Sequence, residues 1–244
     1  MKKIKYVLFD CWDTVIKFEE IYKNASLKVV FDHFKDKNKY SFDEILAYDS
    51  KFLYDYYSTA TFEVSQTAII AYLCESLGIE LDISYKEAAR LCTFAYKGEL
   101  VPGFLDFISF LKENNIHFSI LSNTIQEKDD LDELILRNFE QNPFDQIICS
   151  STYAVKKPDP RFYLLACKKL NLNPEEVAFI GDNILTDITG ANLSKMQAFY
   201  FNWKHNNVND DLKKQLIYTE FTSYSELINL FKDRIWTKHF IVKK

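Results

Sequence analysis

YVLFDCWDTV, residues 6–15, is the stretch that decides how the rest of the chain is interpreted. The apolar run from Ile4 to Phe9 predicts a short buried strand, and Asp10 ends it. Open α/β sheets bind their ligands at the carboxyl ends of the strands, so a carboxylate there is a candidate nucleophile or metal ligand. For one residue taken alone, an aspartate that caps the following turn is an equally good explanation. The residues at the ends of the other predicted strands decide whether Asp10 is a functional carboxylate or a turn cap.

The composition argues against several classes of function. With 30 basic and 35 acidic side chains the formal net charge is −5, which argues against nucleic acid as a partner. The five cysteines have no CxxC spacing, so we expect buried thiols and neither disulfides nor a zinc site. Asp10 and Asp13 interrupt any signal peptide, and no apolar run could span a membrane. We expect a cytoplasmic protein without a membrane partner, while its oligomeric state cannot be inferred.

The predicted secondary structure changes character near residue 100. Residues 17–99 carry no strand-like run and predict amphipathic helices, with a capping box at Ser41–Glu44 and a helix end at Gly78. After Val101, strands alternate with helices, which indicates a parallel, doubly wound sheet with the helical block inserted after its first strand. The further strands are predicted at 117–121, 146–149, 177–180 and 198–201. The helices are predicted at 19–36, 41–57, 64–77, 85–96, 103–114, 127–139, 160–170 and 184–194, with one more after residue 223.

Three of these further strands also lead into polar residues. The strand at 117–121 is followed by Ser122 and Asn123, and the strand at 146–149 by a loop that contains Lys157. Each such residue has an ordinary explanation when it stands alone, as a turn cap, a helix cap or a solvated charge. The strand at 177–180 leads into two more acids, Asp182 and Asp187. Because parallel strands bring their carboxyl ends to one edge, we expect all of these residues to face one crevice.

The residue types in this crevice fit nucleophilic displacement at phosphorus. A carboxylate that attacks phosphorus forms an acyl phosphate and divides the reaction into two easier steps. A hard divalent cation offsets the repulsion between carboxylate and phosphate, and Asp182 and Asp187 suit a magnesium site. A fixed lysine, here Lys157, and a hydroxyl would hold the other phosphoryl oxygens. The sequence therefore predicts a phosphoryl-transfer site with Mg²⁺ as its cofactor.

Four motifs in this order resemble those of the haloacid dehalogenase superfamily of hydrolases. They are FDCWDT from Phe9, LSN from Leu121, KPDPRF from Lys157 and GDNILTDITGA from Gly181. The resemblance extends over most of residues 4–201, and the last two motifs are specific in combination.

The resemblance implies both a fold and a division into domains. The expected fold class is α/β, with a Rossmann-like three-layer core around a parallel sheet and an inserted helical-bundle cap of the C1 type. The core would comprise residues 1–16 and 100–244, and the cap residues 17–99. Within the cap, the loop near residues 56–61 is a candidate for contact with the substrate.

The resemblance further implies roles for individual residues. Asp10 would be the nucleophile. The phosphate would be bound by Thr14, Ser122, Asn123 and Lys157. Mg²⁺ would be held by Asp10, the backbone carbonyl of Trp12, Asp182 and Asp187.

One position departs from the pattern of the phosphatases in this superfamily. Those enzymes carry a second aspartate two residues after the nucleophile, where this chain has Trp12, and an acid follows only at Asp13. Indole cannot transfer a proton in this role, although general acid–base help is worth about 10²–10⁴ in rate. Three outcomes stay open: Asp13 serves as a surrogate acid and base, the leaving group needs little help, or the protein binds phosphate with little turnover.

Dehalogenases of the superfamily also place an aromatic residue at that position. They use an arginine early in the cap, whereas the first arginine here is Arg90, and they tend to lose the Gly-Asp motif that this chain keeps at Asp182. We therefore predict a Mg²⁺-dependent phosphatase whose partner is a small phosphorylated metabolite. The alternatives are another hydrolase of the superfamily, such as a 2-haloacid dehalogenase, and a regulatory module that binds phosphate and Mg²⁺.

Overall fold

The computed structural model describes residues 3–18, 21–59 and 62–236 of the chain. Its strands are β1 (Tyr6–Phe9), β2 (His117–Ser122), β3 (Ile147–Cys149), β4 (Val177–Gly181), β5 (Gln197–Phe201) and β6 (Tyr218–Phe221). They form one parallel sheet in the order β3-β2-β1-β4-β5-β6. The predicted parallel α/β sheet is confirmed, and β1 lies at its centre beside β2 and β4. The edge strand β6 was not predicted, because it has four residues and only Phe221 among them is buried.

The helices follow the predicted alternation closely. They are α1 (Ile21–Asp32), α2 (Phe42–Thr59), α3 (Gln66–Leu77), α4 (Tyr85–Phe94), α5 (Phe104–Glu113), α6 (Lys128–Leu136), α7 (Ser150–Tyr153), α8 (Pro160–Leu170), α9 (Thr189–Leu193), α10 (Asp210–Gln215) and α11 (Tyr224–Trp236). The segment predicted as a helix over 184–194 begins as a π-helical turn, Ile184–Ile188, before α9. Residues 19 and 20, where the first helix was predicted to start, lie outside the described residues.

Helices cover both faces of the sheet because its strands are apolar on both sides. Val7 and Phe9 of β1 point to the face covered by α5, α6 and α11, where Phe107 packs. Tyr6 and Leu8 point to the opposite face, which is covered by α8 and α9. This alternation along one strand produces the three layers that were predicted for the core.

The helices α1 to α4 have an apolar core of their own, formed by residues such as Leu27, Ile45, Leu73 and Ala88. The predicted capping box is present, since Glu44 accepts a hydrogen bond from the Ser41 backbone N–H at 2.8 Å. Gly78 ends α3 with a left-handed φ of 60°, as predicted from its position.

The chain enters and leaves this helical block through neighbouring segments. Lys17 N–H donates to the Glu99 carbonyl at 2.8 Å, and Val101 N–H donates to the Val15 carbonyl at 2.9 Å. Of the loop predicted to contact substrate, residues 56–59 belong to α2, but their side chains and residues 60–61 lie outside the described part. All five cysteines are buried and free. No helix among the described residues has the length and apolar character needed to cross a bilayer.

Candidate active site

The structure brings three of the predicted carboxylates together at one edge of the sheet. Asp10 follows β1, Asp182 follows β4, and Asp187 lies in the π-helical turn after it. Each offers an oxygen within 4.8 Å of an oxygen of the other two. The proximity follows from the fold, because β1 and β4 are adjacent and parallel and so end side by side.

The ammonium group of Lys157 lies inside this carboxylate cluster. Its Nζ is 2.5 Å from Asp10 Oδ1 and 2.6 Å from Asp187 Oδ1, and the side chain is 2% exposed. Asn123 holds the lysine in place from the β2 side. Its Nδ2 donates to the Lys157 carbonyl at 2.9 Å, and its Oδ1 accepts from the Lys157 N–H at 2.7 Å. The geometry makes Asn123 a positioning residue for Lys157, and direct contact of its side chain with phosphate stays a prediction.

The electrostatics of the cluster favour a bound cation. Burial raises the pKa of Asp10 to about 7, against the lowering effect of Lys157. Burial and the charges of Asp10 and Asp187 raise the pKa of Asp182 to about 8. Burial alone would lower the pKa of Lys157, but the two carboxylates that contact it raise that pKa above its ordinary value. Three carboxylates thus share one ammonium, and their hard oxygen atoms are the donors that Mg²⁺ prefers, so the residues present fit the predicted metal.

The loop after β4 is shaped to present Asp187. An added Cβ at Gly181 would lie 2.4 Å from Asp187 Cγ, so only glycine lets the carboxylate approach this backbone. The Asn183 N–H donates to Asp187 Oδ2 at 3.0 Å. Tyr163, which sequence analysis did not single out, donates its hydroxyl to the Thr186 carbonyl at 2.8 Å, and an added Cβ at Gly190 would lie 2.3 Å from its ring. No short motif marks such a tyrosine in the sequence.

Ser122 and Thr14 are both fully buried beside the cluster. The Ser122 hydroxyl donates to the Asn123 carbonyl at 3.3 Å. Thr14 Oγ1 has no hydrogen-bond partner among the described residues, while its carbonyl accepts from the Tyr224 hydroxyl at 2.6 Å. Ser122 is the last residue of β2, and Thr14 lies five residues after the end of β1. Their predicted contacts with phosphate stay predictions.

Asp13 takes part in the structure of its own loop. Its φ of 58° is left-handed, a conformation that aspartate tolerates better than most residues. Oδ2 lies 2.5 Å from Lys204 Nζ, and Oδ1 accepts a hydrogen bond from the Phe18 N–H at 3.1 Å. The Asp13 carbonyl accepts from Trp203 Nε1 at 3.0 Å. Both carboxylate oxygens are thus engaged, and the surrogate acid role stays a prediction.

Trp12 is half-buried and packs its ring against two other aromatic side chains. Its ring centroid lies 5.7 Å from that of Phe18 and 5.3 Å from that of Tyr96. The position that carries an acid in the phosphatases of the resembled superfamily is here part of an aromatic cluster.

Comparisons with known proteins agree with this fold. A family model described as haloacid dehalogenase-like hydrolase matches residues 4–194. A glyceraldehyde 3-phosphate phosphatase from Pyrococcus furiosus is 25% identical over 209 residues, which cover 83% of this chain and 82% of that protein. An (S)-2-haloacid dehalogenase from Pseudomonas sp. strain YL is 25% identical over 171 residues, 70% of this chain and 71% of that protein. The crystal structure of a HAD phosphatase from Thermococcus onnurineus is similar in fold, with a TM-score of 0.69, 21% identity and coverage of 93% and 97%.

Proposed function

The chain belongs to the haloacid dehalogenase-like hydrolases, and we propose that within this family it is a Mg²⁺-dependent phosphatase of a small phosphorylated metabolite. The observation that carries the proposal is the cluster of Asp10, Asp182 and Asp187 around Lys157. Displacement of halide from carbon needs one nucleophilic carboxylate. Three clustered carboxylates beside a single ammonium instead favour a divalent cation, which phosphoryl transfer uses and halide displacement does not. The Pyrococcus relative, named for a phosphorylated three-carbon substrate, supports the same substrate class.

In the proposed reaction the protein supplies a nucleophile and groups that hold the phosphate. Asp10 attacks the phosphorus, an aspartyl phosphate forms, and water then releases the phosphate. Lys157 orients Asp10 and holds one phosphoryl oxygen, and the hydroxyls of Ser122 and Thr14 hold others. Asn123 keeps Lys157 in place through its two backbone contacts.

Four groups of this chain would hold the metal. They are the carboxylates of Asp10, Asp182 and Asp187 and the backbone carbonyl of Trp12. Mg²⁺, when bound, neutralises part of the charge that carboxylates and phosphate accumulate. We further propose that residues 17–99 form a cap over a core of residues 1–16 and 100–244, since α1 to α4 have their own apolar core.

Phosphate release from acetyl phosphate and from phenyl phosphate tests the proposal. We expect release with Mg²⁺, none with EDTA, and none from Asp10→Asn at any Mg²⁺ concentration. Asp211→Asn, the same change on the exposed helix α10, is the matched control and should behave like the wild type. Release that is insensitive to EDTA or that survives Asp10→Asn would contradict the proposal.

Dehalogenation is the second candidate, because Trp12 is aromatic and because a haloacid dehalogenase is among the similar proteins. Its test is chloride release from 2-chloropropionate without Mg²⁺. Chloride release at a rate above that of phosphate release would replace the phosphatase proposal.

A further inference from the structure

A cavity of about 360 Å³ lies between the helices α1 to α4 and the loops that follow β1 and β2. Trp12 and Asn123 both line it. These residues stand two positions after Asp10 and one position after Ser122. The cavity therefore begins at the strand ends that carry the proposed nucleophile, where the leaving group of a bound phosphate ester would lie.

The walls of this cavity are mainly apolar. Trp12, Phe18 and Tyr96 form an aromatic corner in which ring centroids lie 5.3 to 5.9 Å apart. The helices add aliphatic side chains, among them Leu27, Val30, Ile69, Ile70 and Leu73. Such a surface binds an aromatic ring by burial of apolar area and by edge-to-face contacts.

The cavity wall offers no cation to an anionic leaving group, because no lysine or arginine is among the described residues that line it. A leaving group with a carboxylate or a second phosphate would therefore lose its hydration without gaining an ion pair from this wall. The cavity suits an uncharged group.

The tryptophan also limits the chemistry of the leaving group. Because Trp12 cannot donate a proton and Asp13 is bound to Lys204, an alcohol would have to leave as an alkoxide. An alkoxide is roughly as basic as hydroxide, whose conjugate acid has a pKa of about 15.7, whereas phenols have pKa values of about 10. A phenolate therefore leaves without the proton that this site does not supply.

We infer that the substrate is an aryl phosphate whose ring is uncharged and lies against Trp12, Phe18 and Tyr96. The inference rests on the proposed phosphatase function and names its substrate class. Trp12 takes the place of an acid and instead forms part of the ring-binding wall.

The reaction balances without an acid from the protein. A carboxylate oxygen of Asp10 bonds to phosphorus while the bond between phosphorus and the aryl oxygen breaks, and the electron pair leaves with the phenolate. Water then attacks the phosphorus of the aspartyl phosphate and frees Asp10. The proton that the water loses is taken up by the phenolate through solvent, so one ester and one water give one phenol and one hydrogen phosphate.

A series of phosphate esters tests the inference with the whole Mg²⁺-loaded protein. The series comprises substituted phenyl phosphates of decreasing phenol acidity, ethyl phosphate, phosphoglycolate and acetyl phosphate. We expect kcat/KM to fall steeply as the pKa of the phenol rises, and ethyl phosphate to be at least about 100-fold slower than phenyl phosphate. Ethyl phosphate or phosphoglycolate turned over as fast as phenyl phosphate would overturn the inference.

Acetyl phosphate separates this inference from the proposed function, because it needs neither an acid nor the cavity. Turnover of acetyl phosphate without preference for aryl esters overturns only the substrate class. No phosphate release from any ester overturns the proposed function as well.

Two variants at position 12 test the part played by the tryptophan. Trp12→Asp should turn over ethyl phosphate about 100-fold faster than its isosteric control Trp12→Asn, which lacks the proton. Equal rates for the two variants would contradict the inference. If either variant fails to fold, the wild-type series still decides.

Discussion

Trp12 is the residue that distinguishes this chain from the phosphatases it resembles. Where those enzymes carry an acid, the indole packs against Phe18 and Tyr96 and lines the cavity beside the strand ends. The acid that follows, Asp13, has its carboxylate bound to Lys204 and to the Phe18 N–H. In the proposed phosphatase, this one position would therefore affect both the proton supply and the shape of the cavity that takes the leaving group.

Asp182 gives the metal-free protein a stability that depends on pH. Its pKa in the folded protein is about 8, raised by burial and by Asp10 and Asp187, so between its ordinary value and pH 8 the folded state keeps a proton that the unfolded chain releases. The free energy of unfolding therefore falls as pH rises through this window, by up to about 1.4 kcal/mol per pH unit.

The asparagine in Asp182→Asn cannot ionise, so the variant should not lose stability as the pH rises towards 8. We expect the variant to have a higher Tm than the wild type in EDTA at about pH 8, and a smaller advantage at about pH 6. Thermal unfolding at the two pH values measures the difference. A variant that is less stable at the higher pH would show that the carboxylate is not repelled in the folded state.

At the scale of elements, the turn from β4 to α9 determines where the proposed metal ligands Asp182 and Asp187 lie. Gly181 permits the close approach of Asp187, and Asn183 binds the same carboxylate through its N–H. The π-helical turn Ile184–Ile188 then starts the helix. Two aspartates in one loop do not by themselves form a metal site. Here Gly181 and the Asn183 N–H hold the Asp187 carboxylate close to the backbone beside Asp182.

Gly181→Ala should damage the site without unfolding the protein. The new Cβ would overlap Asp187 Cγ at 2.4 Å, so the carboxylate must move, and we expect a loss of at least about tenfold in Mg²⁺ affinity. Gly78→Ala, at the left-handed end of α3, is the control: it should cost about 1 kcal/mol of stability and leave Mg²⁺ affinity unchanged. Titration of phosphatase activity with Mg²⁺ measures both. Unchanged affinity in Gly181→Ala would show that the loop can reposition Asp187.

The sequence predicted the strands that are almost wholly buried, β1 to β5, and the helices α1 to α6, α8 and α11. It did not predict β6, α7 or α10, because these elements are short and mostly not buried and have no clear apolar pattern. The π-helical turn was also missed, since it is formed by backbone hydrogen bonds five residues apart, such as that from the Ile188 N–H to the Asn183 carbonyl, which no side-chain pattern marks.

At the scale of the whole molecule, the helical block and the sheet together enclose the cavity. Gln66 N–H donates to the Ile125 carbonyl at 2.6 Å, and Arg90 lies 2.5 Å from Asp130 and 2.8 Å from Glu133 of α6. The order of the motifs could predict that Asp10, Asp182, Asp187 and Lys157 lie close together, because the carboxyl ends of parallel strands lie at one edge of the sheet. It could not predict that Gln66 faces the cavity, because that contact joins segments distant in sequence that carry no motif.

The central claim is that Asp10 accepts a phosphoryl group. Mass spectrometry of the protein, quenched in acid during turnover of phenyl or acetyl phosphate with Mg²⁺, tests this claim most directly. The account predicts that the peptide containing Asp10 gains the mass of one phosphoryl group, and that the gain is absent in Asp10→Asn. Steady release of phosphate with no phosphorylated Asp10 peptide, or a phosphoryl group on another residue, would contradict it.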